Sequence, residues 1–147
     1  GTVLDAGVGT GRNFPYYPSG TKVVGIDLSP AMLKRARQRK DALGTTVELR
    51  EMNVLEMEFE DDSFDAVIST FLFCVLDNEH QIPALKELSR VCRFIMKMWA
   101  PWVRFAYGAE FNRNTEQYLE VAGLDIIEKV FLYKDIIKLI TLRPKAK

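Results

Sequence analysis

Val3-Leu4-Asp5-Ala6-Gly7-Val8-Gly9-Thr10-Gly11-Arg12-Asn13 reads as a short buried strand running straight into a glycine loop and then toward a helix. Glycine at every second position lets the backbone turn tightly and bring its N–H groups against a ligand, where a Cβ would collide. The spacing excludes a dinucleotide fingerprint. G-x-G-x-x-G needs glycine or alanine at position 12, and this chain has Arg12, with its third glycine one residue early at Gly11.

The stretches that follow give the loop a context. Val23-Val24-Gly25-Ile26-Asp27 is a second apolar strand ending in an acid. A doubly wound sheet places there the carboxylate that accepts hydrogen bonds from ribose hydroxyls. Leu28-Ser29-Pro30-Ala31-Met32-Leu33 opens a helix, with Ser29 as N-cap and Pro30 at the first helical position. Phe64-Asp65-Ala66-Val67-Ile68-Ser69-Thr70 reads as a later strand, after the polar stretch Glu60-Asp61-Asp62-Ser63.

Leu4 to Gly11 resembles motif I of the class I S-adenosylmethionine-dependent methyltransferases. The resemblance implies S-adenosylmethionine as cofactor and S-adenosylhomocysteine as product. It implies cofactor contacts from Asp5, Gly7, Val8, Gly9, Gly11, Asp27, Leu28, Met32, Asn53, Val54, Thr70 and Phe71. Asp5 would meet the methionyl ammonium directly or through water, and Asp27 the ribose. Met52-Asn53-Val54 stands where the family has Gly-Asp-Ala. Asn53 would therefore accept from the adenine amino group through an uncharged amide, a weaker contact than a carboxylate makes. The end of the strand at Ser69, Thr70 and Phe71 would face the sulfonium.

Methyl transfer from a sulfonium is an in-line displacement on an activated carrier, so it asks for alignment and a dry site rather than a protein nucleophile. His80, the only histidine, can take a proton from an amine or hydroxyl acceptor. As a polar residue at a helix start it needs no such role, and that plainer reading is preferred. Phe71-Leu72-Phe73-Cys74-Val75-Leu76 is read as pocket wall, with Cys74 and Cys92 as reduced core thiols.

A chain of 147 residues, 48% hydrophobic, suits one domain spanning residues 1–147. With 20 basic and 20 acidic residues it lacks the basic excess of a general nucleic-acid binder, and Lys34-Arg35-Ala36-Arg37-Gln38-Arg39-Lys40 is read as a solvated helix face. No Cys/His cluster has metal-ligand spacing. The absence of a bilayer-length apolar run and of a leader before the first strand gives the expectation of a cytoplasmic protein, with membrane association left open.

Alternation of strands and helices predicts an α/β, doubly wound, Rossmann-like sheet, mostly parallel. Strands are expected at 2–6, 22–27, 47–50 and 64–69, with helices at 30–43 and 81–92 and a short helix after Gly11. Thr115 is expected to cap a helix ending before Gly123. Segments 124–133 and 136–142, joined by a turn at Lys134-Asp135, are expected to form the closing antiparallel hairpin. Two departures from the family follow. The sequence begins at Gly1, one residue before the first strand, so the expectation is a domain without the N-terminal lid helices and with a pocket open on one side. After Arg93 the family's Lys-Pro-Gly-Gly-like turn is replaced by Phe94-Ile95-Met96-Lys97-Met98-Trp99-Ala100-Pro101-Trp102. Either 94–99 is an abbreviated fifth strand, or that strand is missing and the hairpin packs directly on strand four; the second is preferred, with 96–107 read as a helical insertion.

That aromatic and methionine-rich segment can lie against a membrane surface, cover an apolar acceptor, or be an ordinary core helix. Together with Gly108-Ala109-Glu110-Phe111-Asn112-Arg113-Asn114-Thr115 it resembles the insertion and capped helix after strand five in the phospholipid N-methyltransferases, of the type 11, ubiquinone-biosynthesis-like group, and that resemblance leans toward a small apolar or lipid-like acceptor of the phosphatidylethanolamine type. The alternative is an S-adenosylmethionine-binding module that turns over slowly or not at all.

Overall fold

The computed structural model describes residues 1–101, 115–133 and 137–145. In chain order the elements are β1 (Thr2–Ala6), a 3-10 turn (Phe14–Tyr16), β2 (Lys22–Asp27), α1 (Pro30–Leu43), β3 (Glu48–Glu51), β4 (Phe64–Thr70), α2 (Asn78–Val91), β5 (Cys92–Pro101), a second 3-10 turn (Thr115–Tyr118), β6 (Leu124–Tyr133) and β7 (Ile137–Pro144). Among the described residues the strands form a seven-stranded sheet in the order β3-β2-β1-β4-β5-β7-β6. The pairs from β3 across to β5 are parallel, and β7 lies antiparallel between β5 and β6. This is the expected doubly wound sheet with a closing hairpin.

Chain order reverses direction between β1 and β4, and such a switch point opens a crevice beyond the carboxyl ends of the strands. β1 is central and covered on both faces, so Leu4, Asp5 and Ala6 are all fully buried. Leu4, Ala6, Val24, Ile26 and Val67 share one core with Leu85, Leu88 and Val91 of α2. A smaller core on the other side gathers Val8, Phe14, Val23 and Val47 against Leu33 and Ala36 of α1. The remaining positions of α1 carry its lysines and arginines outward, as a solvated face should. Its N-terminus is capped by Ser29, whose Oγ accepts from the Met32 N–H at 3.3 Å, and Gly44 closes it in the left-handed region.

The fifth strand corrects the preferred sequence reading. Cys92–Pro101 is a ten-residue strand between β4 and β7, longer than even the abbreviated alternative, and the hairpin packs on it rather than on β4. The sequence misled because α2 passes into β5 with no turn residue between Val91 and Cys92. The register slips between Phe64 and Ala66 of β4, so a bulge on β5 absorbs the direct junction. Pairing on both sides then overrides a stripe that reads as helical. Residues 96–101 are thus extended; the rest of the expected insertion, 102–107, lies outside the described residues.

Smaller differences follow similar lines. Thr115 does not cap an α-helix: it begins a 3-10 turn, and its hydroxyl donates to Gln81 Oε1 at 3.0 Å. The helix expected after Gly11 is the three-residue turn Phe14–Tyr16. The turn expected at Lys134-Asp135 lies outside the described residues.

Candidate active site

The glycine loop is stitched to β2 before any ligand arrives. Gly7 and Val8 both donate their N–H to the Ile26 carbonyl at 2.9 Å. Asp27, at the end of β2, accepts from the Gly9 N–H at 2.9 Å through Oδ2 and from the Ser29 N–H at 2.8 Å through Oδ1. A carboxylate has about four lone-pair sites, so each oxygen keeps capacity for one more donor. Gly9 sits at φ +55°, and a Cβ there would meet nothing nearer than the Gly7 carbonyl at 3.9 Å. The space is open on the protein side. Gly11 is different: a Cβ would fall 2.4 Å from the Phe14 ring, so this glycine serves packing.

A cleft of about 400 Å³ lies beside Asp27. It brings together the expected residues Gly7, Asp27, Leu28, Asn53 and Val54, with Ile26, Ser29 and Met52 beside them and Leu72, Val75 and Leu76 closing the side. Of the 71–76 stretch read as wall, Leu72, Val75 and Leu76 line the cleft, whereas Phe73 is buried in the main core and Phe71 and Cys74 do not line it. Asn53 is already engaged, its Oδ1 accepting from the Leu55 N–H at 3.0 Å. Its amide oxygen is thus not a free acceptor waiting for a base edge, although one lone pair remains.

Gln81 holds this wall in place and was not singled out by sequence. Fully buried on α2, it donates from Nε2 to the carbonyls of Phe73 at 2.8 Å and Leu76 at 2.9 Å, while Oε1 accepts from Thr115. Only its position as a polar residue on the apolar stripe of a helix could have signalled this. Arg90 performs a similar task for 57–61, donating to the carbonyls of Phe59 and Met57 and to Asp61, with Glu87 paired beside it.

Asp5 is fully buried near the end of β1 and does not line the cleft beside Asp27. Its Oδ2 accepts from Asn13 Nδ2 at 2.9 Å and from the Tyr17 hydroxyl, and Asn13 Nδ2 also reaches Thr70 Oγ1 at 3.1 Å. Oδ1 is buried with no partner among the described residues. Burial pushes the Asp5 carboxyl above the usual carboxylate range; the Tyr17 and Asn13 hydrogen bonds pull it down, and the Asp27 charge pushes it up. A second cleft, about 870 Å³, is lined by Asn13, Tyr17, Ile68, Thr70, Arg12 and Arg39 with Pro15 and Tyr16.

The other expected residues fall outside both clefts. Val8 points into the α1 core and packs on Gly25. Met32 is 41% exposed on α1. Phe71 follows β4 in the left-handed region at φ 62°, a conformation rare for an aromatic residue, with its ring half exposed. His80 is a half-exposed first-turn residue of α2, 3.9 Å from Glu79, and lines neither cleft. Among the described residues no group of three or more His, Cys, Asp or Glu side chains could hold a metal ion.

A family described as methyltransferase domain matches residues 3–94, more than half the chain. The chain belongs to the methyltransferase-domain family. This methyltransferase domain is 41% identical over 95 residues to a phosphatidylethanolamine N-methyltransferase of Cereibacter sphaeroides, covering 63% of this chain and 46% of that protein. It is 31% identical over 128 residues to a demethylmenaquinone methyltransferase of Thermus thermophilus, covering 82% and 57%. It thus spans about half the length of these relatives. A solved SAM dependent methyltransferase from Aquifex aeolicus superposes with a TM-score of 0.83 at 24% identity, covering 97% of this chain and 81% of that one. The sheet is that of the class I S-adenosylmethionine-dependent methyltransferases.

S-adenosylmethionine is the cofactor of that class, and the residues present fit it. The lone acceptor of Asp5 suits a cationic N–H, the open face of Gly9 suits a close-lying ligand, and the spare lone pairs of Asp27 suit a diol.

Proposed function

We propose that this domain binds S-adenosylmethionine along the carboxyl ends of β1, β2 and β4 and transfers its methyl group to a small, apolar or lipid-like acceptor, with a phosphatidylethanolamine-type amine preferred. The observation that carries the reading is the convergence on one crevice of Asp27, the Gly7-to-Gly11 loop and an apolar cleft walled by Leu72, Val75 and Leu76. When bound, the cofactor supplies a methyl group already activated on sulfur. The protein supplies the rest.

In this reading Asp27 uses its spare lone pairs to accept from the ribose hydroxyls. Leu28, Met52, Leu72, Val75 and Leu76 clamp the adenine and exclude water, and Asn53 and Val54 meet its edge. Asp5 holds the methionyl ammonium through Oδ1, and Thr70 and Phe71 flank the reacting end. Val8 and Gly11 shape the loop from behind, and Met32 borders it from α1.

Support for an apolar acceptor comes from the relative from Cereibacter and from the rim of the crevice. Phe71, which flanks the reacting end rather than the adenine, is 49% exposed, apolar surface left beside a polar cradle. The same rim suits peripheral contact with a bilayer by a single cytoplasmic domain; no helix among the described residues is long and apolar enough to cross one. The discriminating experiment measures methyl release from labelled S-adenosylmethionine against phosphatidylethanolamine in mixed micelles, a reduced quinone and a small thiol. Methylation of the quinone or thiol but not the amine would overturn the acceptor preference.

A second reading is a cofactor-binding module with slow turnover. It is favoured by the side chains lining the clefts: among the described residues Asp27 is the only carboxylate there, already holding two backbone donors, and no imidazole joins it. Cofactor binding without methyl release to any acceptor would support it.

A further inference from the structure

The hydrogen bonds to Asp5 are uneven. Both donors, the Tyr17 hydroxyl and the Asn13 amide, converge on Oδ2, while Oδ1 of the same fully buried carboxylate has no partner among the described residues. A buried acceptor left bare costs desolvation free energy, so a donor that reaches Oδ1 gains from meeting it. Tyr17 comes from the segment after the 3-10 turn, its ring 6.2 Å from that of Phe14 and packed against the α1 core. Its backbone has no part in the glycine loop. Its hydroxyl still reaches under that loop to the carboxylate.

We propose that Tyr17 is the positioning residue of the ammonium subsite: by holding Oδ2 of Asp5, with Asn13, it turns Oδ1 toward the cationic amino nitrogen of the cofactor's methionyl arm. This rests on the cofactor reading above. Without the hydroxyl the carboxylate keeps one donor on Oδ2 and can swing Oδ1 out of line. The groups facing Asp5 are Tyr17 and Asn13 from the loop after β1, Asp27 from β2, and Thr70 of β4 through Asn13. None is cationic. The charged form of Asp5 therefore depends on these neutral donors, and losing one moves its protonation to higher pH.

The test is titration calorimetry of the intact chain with S-adenosylhomocysteine and with 5′-methylthioadenosine, which lacks the amino-acid arm. Tyr17→Phe keeps the ring and its contact with Phe14. It should weaken S-adenosylhomocysteine binding about tenfold, the effect of one hydrogen bond to a charged group, and leave methylthioadenosine unchanged. On acidification the variant should lose S-adenosylhomocysteine at a higher pH than the wild type. Asn13→Ala removes the other donor and should show the same ligand selectivity, which keeps the idea testable if Tyr17→Phe folds poorly. Equal weakening of both ligands, or no weakening, would overturn the role of Tyr17 while leaving the cofactor reading intact. Failure of the wild type to bind either ligand would remove the cofactor reading and this inference with it.

Discussion

The backbone N–H of Gly9 donates to Oδ2 of Asp27 at 2.9 Å, so the middle of the glycine loop hangs from the end of the neighbouring strand. The acid that would meet the ribose also sets the shape of the loop. Asp27→Ala should therefore do two things at once. It should raise the dissociation constant for S-adenosylmethionine by an amount equivalent to about 1.5–3 kcal/mol, and it should loosen the loop through the lost Gly9 bond and the start of α1 through the lost Ser29 bond. Asp27→Asn keeps one acceptor oxygen and should fall between. An unchanged dissociation constant in a folded Asp27→Ala chain would sink the assignment.

Gly9 and Gly11 should respond differently to the same substitution. Valine at Gly9 meets open space but is strained by the positive φ, at a cost of roughly 1–2 kcal/mol. The fold should survive, and cofactor binding should vanish because the side chain fills ligand space. Valine at Gly11 drives into the Phe14 ring and should lower the melting temperature far more. Thermal melts and calorimetry on the two variants check the contrast; tight binding by Gly9→Val would mean that the loop is only a turn.

Asn53→Asp tests the adenine contact. One carboxylate oxygen can keep the bond from the Leu55 N–H while the other replaces the amide NH₂ with an acceptor. Affinity for S-adenosylhomocysteine should hold or rise, by up to about tenfold, since a carboxylate accepts more strongly than an amide. An analogue without the adenine amino group should erase the difference. If both variants respond equally to that analogue, Asn53 does not face the base.

Gln81→Leu should be among the most damaging single changes. It strips two carbonyls and one hydroxyl of their partner at a fully buried position, and we expect a loss of about 2–4 kcal/mol in chemical denaturation. Because two of those bonds hold the wall of the cleft, cofactor affinity should fall even under conditions where the variant stays folded. A loss of stability with unchanged affinity would show that the wall holds without Gln81.

Glu87 gives the pH signature. Hydrogen bonds from Arg90 hold its carboxyl below the ordinary value of 4.5, against partial desolvation. The unfolded chain thus takes the proton first, so the stabilisation is complete above about pH 4.5 and disappears as pH falls through the lowered folded value. Glu87→Gln should be less stable than the wild type at pH 7, and the gap should close in acid. A gap that is constant with pH would remove the charge from the account.

The sequence by itself determined the local elements and the chemistry that sits on them. A buried strand feeding glycines, an apolar strand ending in Asp27, and Ser29 capping a proline-started helix are each written within about ten residues, because backbone turns, caps and alternation depend on near neighbours. That is why β1, β2, α1 and the core of the crevice were legible. The tertiary structure alone decided β5. Its residues run on from α2 without a turn signal, and they are extended because β4 and β7 offer hydrogen bonds on both sides. It alone decided which of the expected residues line a cleft, sending Val8 into the α1 core and leaving His80 outside, since the facing of a side chain depends on what packs against it. It alone paired Tyr17 with Asp5, a contact made by folding the loop back across the strand and carried by no spacing in the chain.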